Sequence, residues 1–514
     1  MLCNGSLTPS WVRARLLTRR PNTRRLVSNI ARDYPQALSL LFQLSSNRQI
    51  TNLFDKPGMS VVAKPSAQDL NAAAISEMRE WLRRAGYSPQ DLARLRHIHI
   101  AGTKGKGSVS AFATGMLREY GTVGTYTSPH LISVRERIAI QGEAISQDTF
   151  TGAFFELWDR FTEAAKSEGM DAAEAEGPLS KPFFFRFLTI LAWHIFLREM
   201  VDCVVLECGI GGEYDATNVL PSKAVSSAVI TQLGIDHVAM LGETVEEIAW
   251  HKAGILKPNV KGFVRKIDEQ PSVRDIIRSR AVEKNAHLVE LDDSFVEQWG
   301  GVQGNLAGDF QKYNQALAVL AVREHLGMGT DPTTALLDIP EKMARGLKEA
   351  TLRGRCETIQ DGPVAWHLDG AHTKDSLEQV ARWFVRTLNP GETATLVFNQ
   401  QERDATELLA GFLDAIRQAA GTDSVFSHAL FTRNDPKGPA VGEVREMAVQ
   451  HRTARLMGDT AVGCRTRALD NIQDTVAEAR RIAKHEGSNH KVLVTGSLHL
   501  VGGILQALEP ESLL

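Results

Sequence analysis

Seven consecutive residues, Gly102-Thr103-Lys104-Gly105-Lys106-Gly107-Ser108, hold three glycines, two lysines and two hydroxyls between an apolar run (Ile98–Ile100) and a helical pattern (Ser108–Tyr120). Glycines at a strand-to-helix turn let successive backbone N–H groups converge on phosphate oxygens, and a helix N-terminus adds favourable partial charge. Lys106 can reach a β- or γ-phosphate. The spacing departs from the common G-x-x-x-x-G-K-[ST] loop. Two residues separate Gly102 from Gly105, Gly107 follows the lysine where a magnesium-binding hydroxyl is usual, and Ser108 comes one residue late. Another oxygen must then help to hold a metal. Glu207 ends the apolar run Val201–Leu206, where an unpaired carboxylate is costly to bury. Either a cation meets it there, or it caps a helix or forms a salt bridge. Lys252 follows Thr244–Trp250, a helical pattern with Thr244 as N-cap and Glu247 three residues on. On spacing alone it is a solvated lysine, as His237 alone is a core histidine.

Such groups need a scaffold. Apolar strand candidates recur at Ile98–Ile100, Val201–Leu206, Ala228–Thr231, Gly262–Val264 and His287–Leu291, with helical patterns between them. That alternation predicts a mostly parallel, helix-covered sheet whose ligands bind beyond the carboxyl ends of its strands. A second series begins near Ala365–Leu368 and continues at Ala394–Phe398, His428–Phe431 and Val492–Thr495, which places a domain boundary near 347–353. Helices are expected at Asp33–Ser46, Ile75–Ala85 and Gln311–Leu326, a polar segment leading from the last to Thr351–Glu357, and Glu168–Lys181 reads as a surface insertion.

A chain of 514 residues suits two to four domains, and 43% hydrophobic with 23% charged residues excludes collagenous, coiled-coil and wholly disordered classes. No apolar stretch approaches the ~20 residues of a membrane span; Phe187–Leu197 contains His194 and reads as a buried helix. Five scattered cysteines match neither a disulfide framework nor zinc spacing, which suits a soluble protein of a reducing compartment. Residues 1–32 hold seven arginines and no Lys, Asp or Glu, the pattern of a mitochondrial presequence, with a basic nucleic-acid arm as the alternative. The other 482 residues carry 51 basic and 61 acidic side chains, which argues against a nucleic-acid binder. Met59 is an internal start that would delete Asp33–Ser46, so an upstream cut or leaky import better explains any cytosolic pool.

The phosphate loop, followed by T-S-P-H-L-I-S-V-R-E-R-I (127–138), L-E-C-G-I-G-G (206–212), D-A-T-N (215–218), T-Q-L-G-I-D-H (231–237), H-K-A-G-I-L-K-P (251–258), L-R-G-R (352–355), H-L-D-G-A-H-T (367–373) and T-G-S-L-H-L-V-G (495–502), resembles the folylpolyglutamate synthase family of Mur-type ligases. From Asp33 onward the resemblance covers about 480 residues. It implies a presequence (1–32), an ATP- and folate-binding α/β domain with a mostly parallel sheet (33–350) and a smaller Rossmann-like glutamate-ligase domain (351–514). It also implies the reaction: ATP-driven joining of L-glutamate to the γ-carboxyl of a reduced folate through an acyl phosphate, with Mg2+, a monovalent cation such as K+, and a monomeric enzyme off the membrane.

Site roles follow from the same resemblance. Gly102, Thr103, Lys104, Gly105, Lys106, Gly107, Ser108, Asn314, Arg355 and Asp369 would bind ATP. Ser128, Glu207 and His237 would hold magnesium, with Lys252, carbamylated, ligating a second ion. Catalysis would rest on Lys106, Lys252, Asp369 and His372. His130, Leu131 and Arg135 would border the folate, and His372 and Ser497 the incoming glutamate. Phe310 stands where relatives often carry histidine; Trp193 and Trp250 read as core rather than pterin platforms. The rival readings are a dihydrofolate synthase or bifunctional enzyme, and a nucleotide switch without ligase chemistry.

Overall fold

The computed structural model describes residues 32–46, 67–401, 403–440, 442–461, 463–486 and 489–510. Most of the expected presequence (residues 1–31) and Met59 lie outside them.

Two sheets organise the chain. The first contains β1 (Arg96–Ala101), β2 (Val123–Tyr126), β3 (Ile138–Ile140), β4 (Glu143–Ala144), β5 (Cys203–Glu207), β6 (Val225–Ile230), β7 (Lys261–Arg265) and β8 (His287–Leu291), in the order β4-β3-β2-β5-β1-β6-β7-β8. From β2 to β8 every neighbouring pair is parallel, and β3 and β4 add an antiparallel edge. The second contains β9 (Glu357–Asp361), β10 (Val364–Leu368), β11 (Ala394–Phe398), β12 (Phe426–Thr432), β13 (Arg465–Leu469) and β14 (His490–Thr495), in the order β13-β12-β11-β14-β10-β9. Only β9 runs antiparallel. The expected α/β class holds for both. Strands β5 and β10 are buried along their whole length, as a sheet covered on both faces requires.

Several elements differ from expectation. The helix after the phosphate loop begins at Lys106, not Ser108, and Gly105 is its N-cap in a left-handed conformation without a capping side chain. Its first N–H groups are therefore free for a ligand. The polar segment after Gln311–His325 contains a further helix, Glu341–Glu349, which buries Met343, Gly346 and Leu347. A Cβ on Gly346 would lie 2.3 Å from Gly115 O, so two glycines let this helix press onto the helix behind the phosphate loop. The stretch 168–181 is not simply superficial. It forms the short helix Ala172–Glu176, and Lys181 is fully buried, its Nζ donating to Ala175 O at 2.7 Å above the Trp158 ring. Phe184–Arg198 is the expected buried helix; Trp193 lies in the core and donates to His97 Nε2 at 3.2 Å. Among the described residues no helix is long and apolar enough to cross a membrane.

Loops at the carboxyl ends of β1, β2, β5 and β6 carry Gly102–Gly105, Ser128, Glu207–Asp215 and Gln232–His237. Those after β10, β11 and β14 carry Asp369–His372, Arg403 and Ser497. All of these loops but the one carrying Ser497 contribute residues to one cavity.

Candidate active site

That cavity, of about 2150 Å³, is lined by residues of both sheets' loops, including Lys106, Glu207, His237, Asn314, Arg355 and His372. Its floor is the phosphate loop, which is firmly tethered. The N–H groups of Thr103 and Lys104 donate to Gln232 O (2.9 and 3.1 Å), Thr103 Oγ1 to Gly234 O (3.0 Å) and Thr231 Oγ1 to Lys104 O (2.6 Å). Gly102 has φ 148°, and a Cβ there would sit 1.8 Å from Thr231 Oγ1. Gly105 has φ 87°, and its Cβ would meet Asn314 Oδ1 at 2.4 Å. Both glycines are thus required by conformation and by space. Asn314 donates to Gln311 Oε1 (2.8 Å), and Gln311 Nε2 to Ser108 Oγ (3.3 Å). Gln311 is a site residue that sequence reasoning missed. Lys104 reaches across the cavity: its Nζ meets Asp375 Oδ2 at 2.7 Å, in the first turn of the helix Lys374–Val385.

Lys252 overturns the reading of a solvated helix lysine. It is 2% exposed, its Nζ donates to Gly102 O at 2.7 Å, and burial with Lys106 nearby depresses its pKa to about 7. Glu207 is 3% exposed, and burial raises its pKa despite Lys106. Its partners are distant, Ser128 N–H at 3.3 Å and Lys106 Nζ at 3.8 Å. A buried carboxylate so loosely held suits a small divalent cation that keeps water and phosphate as its other ligands. Ser128 lies beside it. His237 lines the same cavity but pairs with Asp236 at 3.6 Å, and among the described residues no three His, Cys, Asp or Glu side chains converge as a metal cage. Ser128, Glu207 and His237 of the expected set all line this one cavity.

On the second sheet's side, Asp369 is pinned: Oδ2 accepts Cys356 N–H (2.8 Å) and Oδ1 accepts Ala371 N–H (2.9 Å). These bonds fix the crossover that carries Arg355 and hold Asp369 on the cavity lining. His372 Nδ1–H donates to Gly370 O (2.9 Å), which leaves Nε2 as the acceptor in the neutral ring; burial lowers its pKa. Arg403, which sequence reasoning missed, lines the cavity and reaches Asp236 at 3.3 Å.

Of the four residues His130, Leu131, Arg135 and Ser497, two lie off the cavity lining. His130 is not a lining residue: its Nδ1 accepts from Arg137 Nε at 2.9 Å, and Arg137 takes the place on the wall. Ser497 does not line the cavity either but caps the helix Leu498–Leu508, accepting from His499 N–H at 3.2 Å. Leu131 lines it and also packs into the second sheet's core, where Gly502 leaves room for Leu131 O. Arg135 lines it as expected, with Nη1 donating to Ile145 O at 2.8 Å and its guanidinium over the Tyr34 ring. Trp250 carries Arg280 on its face, away from the lining, as Trp193 is away in the core.

A tethered phosphate loop facing a second α/β layer across one cavity is the arrangement of an ATP-dependent ligase. The chain is 37% identical over 520 residues to the folylpolyglutamate synthase of Neurospora crassa, covering 95% of this chain and 93% of that one. It belongs to the folylpolyglutamate synthase family. The enzyme of that name from Saccharomyces cerevisiae (strain FostersO) is 36% identical over 500 residues, covering 93% and 87% of the two chains. Residues 352–507 match the family described as dihydrofolate synthetase, C-terminal domain. Among solved structures, the Mycobacterium tuberculosis folylpolyglutamate synthase complexed with ADP and AMPPCP superposes with a TM-score of 0.66 at 23% identity, over 93% of this chain and 99% of that one. The Thermotoga maritima enzyme gives 0.63 at 22%, over 92% and 98%. These two likenesses establish the fold.

Proposed function

We propose that the protein joins L-glutamate to the γ-carboxyl of folates, reduced folates above all, at the expense of ATP. The carrying observation is that the phosphate loop and the polar loops of the second sheet line one cavity. The folate carboxylate attacks the γ-phosphate, giving an acyl phosphate and ADP; the incoming amine then displaces phosphate. Both steps gather negative charge on oxygen, so fixed donors and cations do most of the work. The free N–H groups at Lys106 and its neighbours, with the Lys106 ammonium, meet the phosphates. Arg355, fixed by Asp369, brings a guanidinium from the domain junction. Glu207 and Ser128, with His237 at the mouth, would hold Mg2+, which when bound neutralises phosphoryl charge. A monovalent cation such as K+ belongs to the same reading. Lys252, half neutral near pH 7, is able to add CO2 and become an oxygen donor.

Purified protein given Mg2+, ATP, tetrahydrofolate and glutamate is expected to yield products one glutamyl residue heavier per turnover, together with ADP and phosphate. Formation of AMP and pyrophosphate would refute the acyl-phosphate route. The match of residues 352–507 to a dihydrofolate synthetase domain keeps a second reading open, the same chemistry on dihydropteroate, which that assay separates by acceptor.

The arginine-rich, acid-free residues 1–32 support import into mitochondria, with a cytosolic pool from leaky import. A reporter fused to them should become mitochondrial and should stay cytosolic when Arg19, Arg20, Arg24 and Arg25 are glutamine. Import indifferent to those four changes would refute the reading.

A further inference from the structure

Arg137 is a buried cation of the cavity wall that the mechanism above leaves unused. It ends the turn Val134–Arg137, held by a capping box between Ser133 and Glu136, so its backbone is fixed. The residue is 9% exposed, its Nε donates to His130 Nδ1, and its guanidinium lies 5.5 Å over the Phe184 ring. No carboxylate lies within ion-pair distance of it among the described residues; Glu136, Glu207 and the Tyr126 phenol act on it only from farther off. Other buried arginines are engaged by oxygen: Arg280 by Glu213 and Glu283, Arg323 by the carbonyls of Gly329 and Asp338. A desolvated guanidinium held by one neutral imidazole and one aromatic face has the chemistry to receive an anion.

Its place says which anion. On one side stands Glu207, which takes Ser128 N–H and faces Lys106, the phosphate end of the cavity. On the other stands the aromatic wall of Phe183, Phe184 and Phe185. A folate with its ring against the aromatic wall and its tail toward Lys106 would carry its terminal carboxylate past Arg137. We propose that Arg137 receives the γ-carboxylate to which glutamate is joined, and that His130 and Phe184 hold the guanidinium for it. A planar fork matches a planar carboxylate in two parallel hydrogen bonds. His130 is a positioning residue: accepting from Arg137 at Nδ1 leaves its own proton on Nε2. The proposal rests on the folate reading.

Equilibrium binding to the full chain, saturated with a non-hydrolysable ATP analogue, tests it. The two ligands are a monoglutamyl folate and the same folate with its γ-carboxyl converted to the amide. The unaltered protein should prefer the carboxylate by about 10²-fold, the scale of a charge-assisted pair in a desolvated site. Arg137→Gln should bind both equally, with ATP-analogue affinity kept, whereas a preference retained by Arg137→Gln overturns the proposal. If that variant no longer binds nucleotide, His130→Ala decides. It should narrow the preference to about tenfold, and His130→Asn, which restores an acceptor, should widen it again; an unchanged ratio in His130→Ala overturns the proposal. If the unaltered protein binds neither folate, the folate reading falls and the proposal with it.

Discussion

Lys252→Ala should lower turnover by about 10²–10³-fold, the loss typical of removing one preorganised charge-stabilising group. The residue does two things at once. Its Nζ ties Gly102 O to the helix Val245–Ala253, and its depressed pKa of about 7 leaves it half neutral at neutral pH. Only the neutral amine adds CO2, forming an N–C bond and releasing one proton, and the product is a carboxylate-like donor beside Gly102 of the phosphate loop. Lys252→Arg separates the roles: it keeps the cation and the tether but cannot form that carbamate. It should be as inactive as Lys252→Ala. Labelled bicarbonate should give a carbamate carbon resonance that either substitution removes, and stripping CO2 should lower activity reversibly. The sign with pH follows from the depressed pKa. Below about 7 the amine is protonated, so carbamate and activity both decline, and added bicarbonate restores part of each. A fully active enzyme with Lys252 unmodified, or an active Lys252→Arg, would leave the tether as its whole role.

The residues that could be read in advance share a physical character. Glycines and lysines of the phosphate loop, the terminal carboxylate of β5 and the apolar central strands announce themselves, because buried parallel strands are continuous hydrophobic runs bounded by turns. Strands β9 and β13, Glu-Thr-Ile-Gln-Asp and Arg-Thr-Arg-Ala-Leu, lie at the sheet's two edges. Their charges and half-exposed faces give no apolar run to see. The helix Glu341–Glu349 was hidden because one narrow stripe, Met343, Gly346 and Leu347, carries all its burial among charged neighbours. Within the site, contacts distant in sequence were illegible. Nothing local says that Lys252 reaches back to Gly102, that Gln311 meets Ser108, or that Arg137 rather than His130 faces the cavity. Each of those is set by how loops from separate strands meet.

The other large effect belongs to His372. The incoming glutamate arrives as an ammonium ion, and its nitrogen cannot attack the acyl phosphate until a proton leaves. His372 gives its Nδ1–H to Gly370 O and so keeps Nε2 as a lone pair on the cavity side of the second sheet. Burial lowers its pKa, so the neutral, proton-accepting ring persists to lower pH than an exposed histidine would allow. General-base catalysis of this kind is worth about 10²–10⁴-fold. His372→Ala should therefore lose that factor in kcat while ATP still binds, and the acid limb of the pH–rate profile should change with it. Asp369→Ala should act differently, weakening ATP use by loosening the crossover that carries Arg355. The distinction depends on the two layers meeting: Lys104 bridges to Asp375, Arg403 to Asp236, and Leu131 enters the second core. Those contacts join the layers, and drawing them tighter around substrate would exclude the water that competes with glutamate for the acyl phosphate. Near-normal turnover of His372→Ala at saturating glutamate would show that the amine loses its proton elsewhere, and the shared site across the two layers would have to be redrawn.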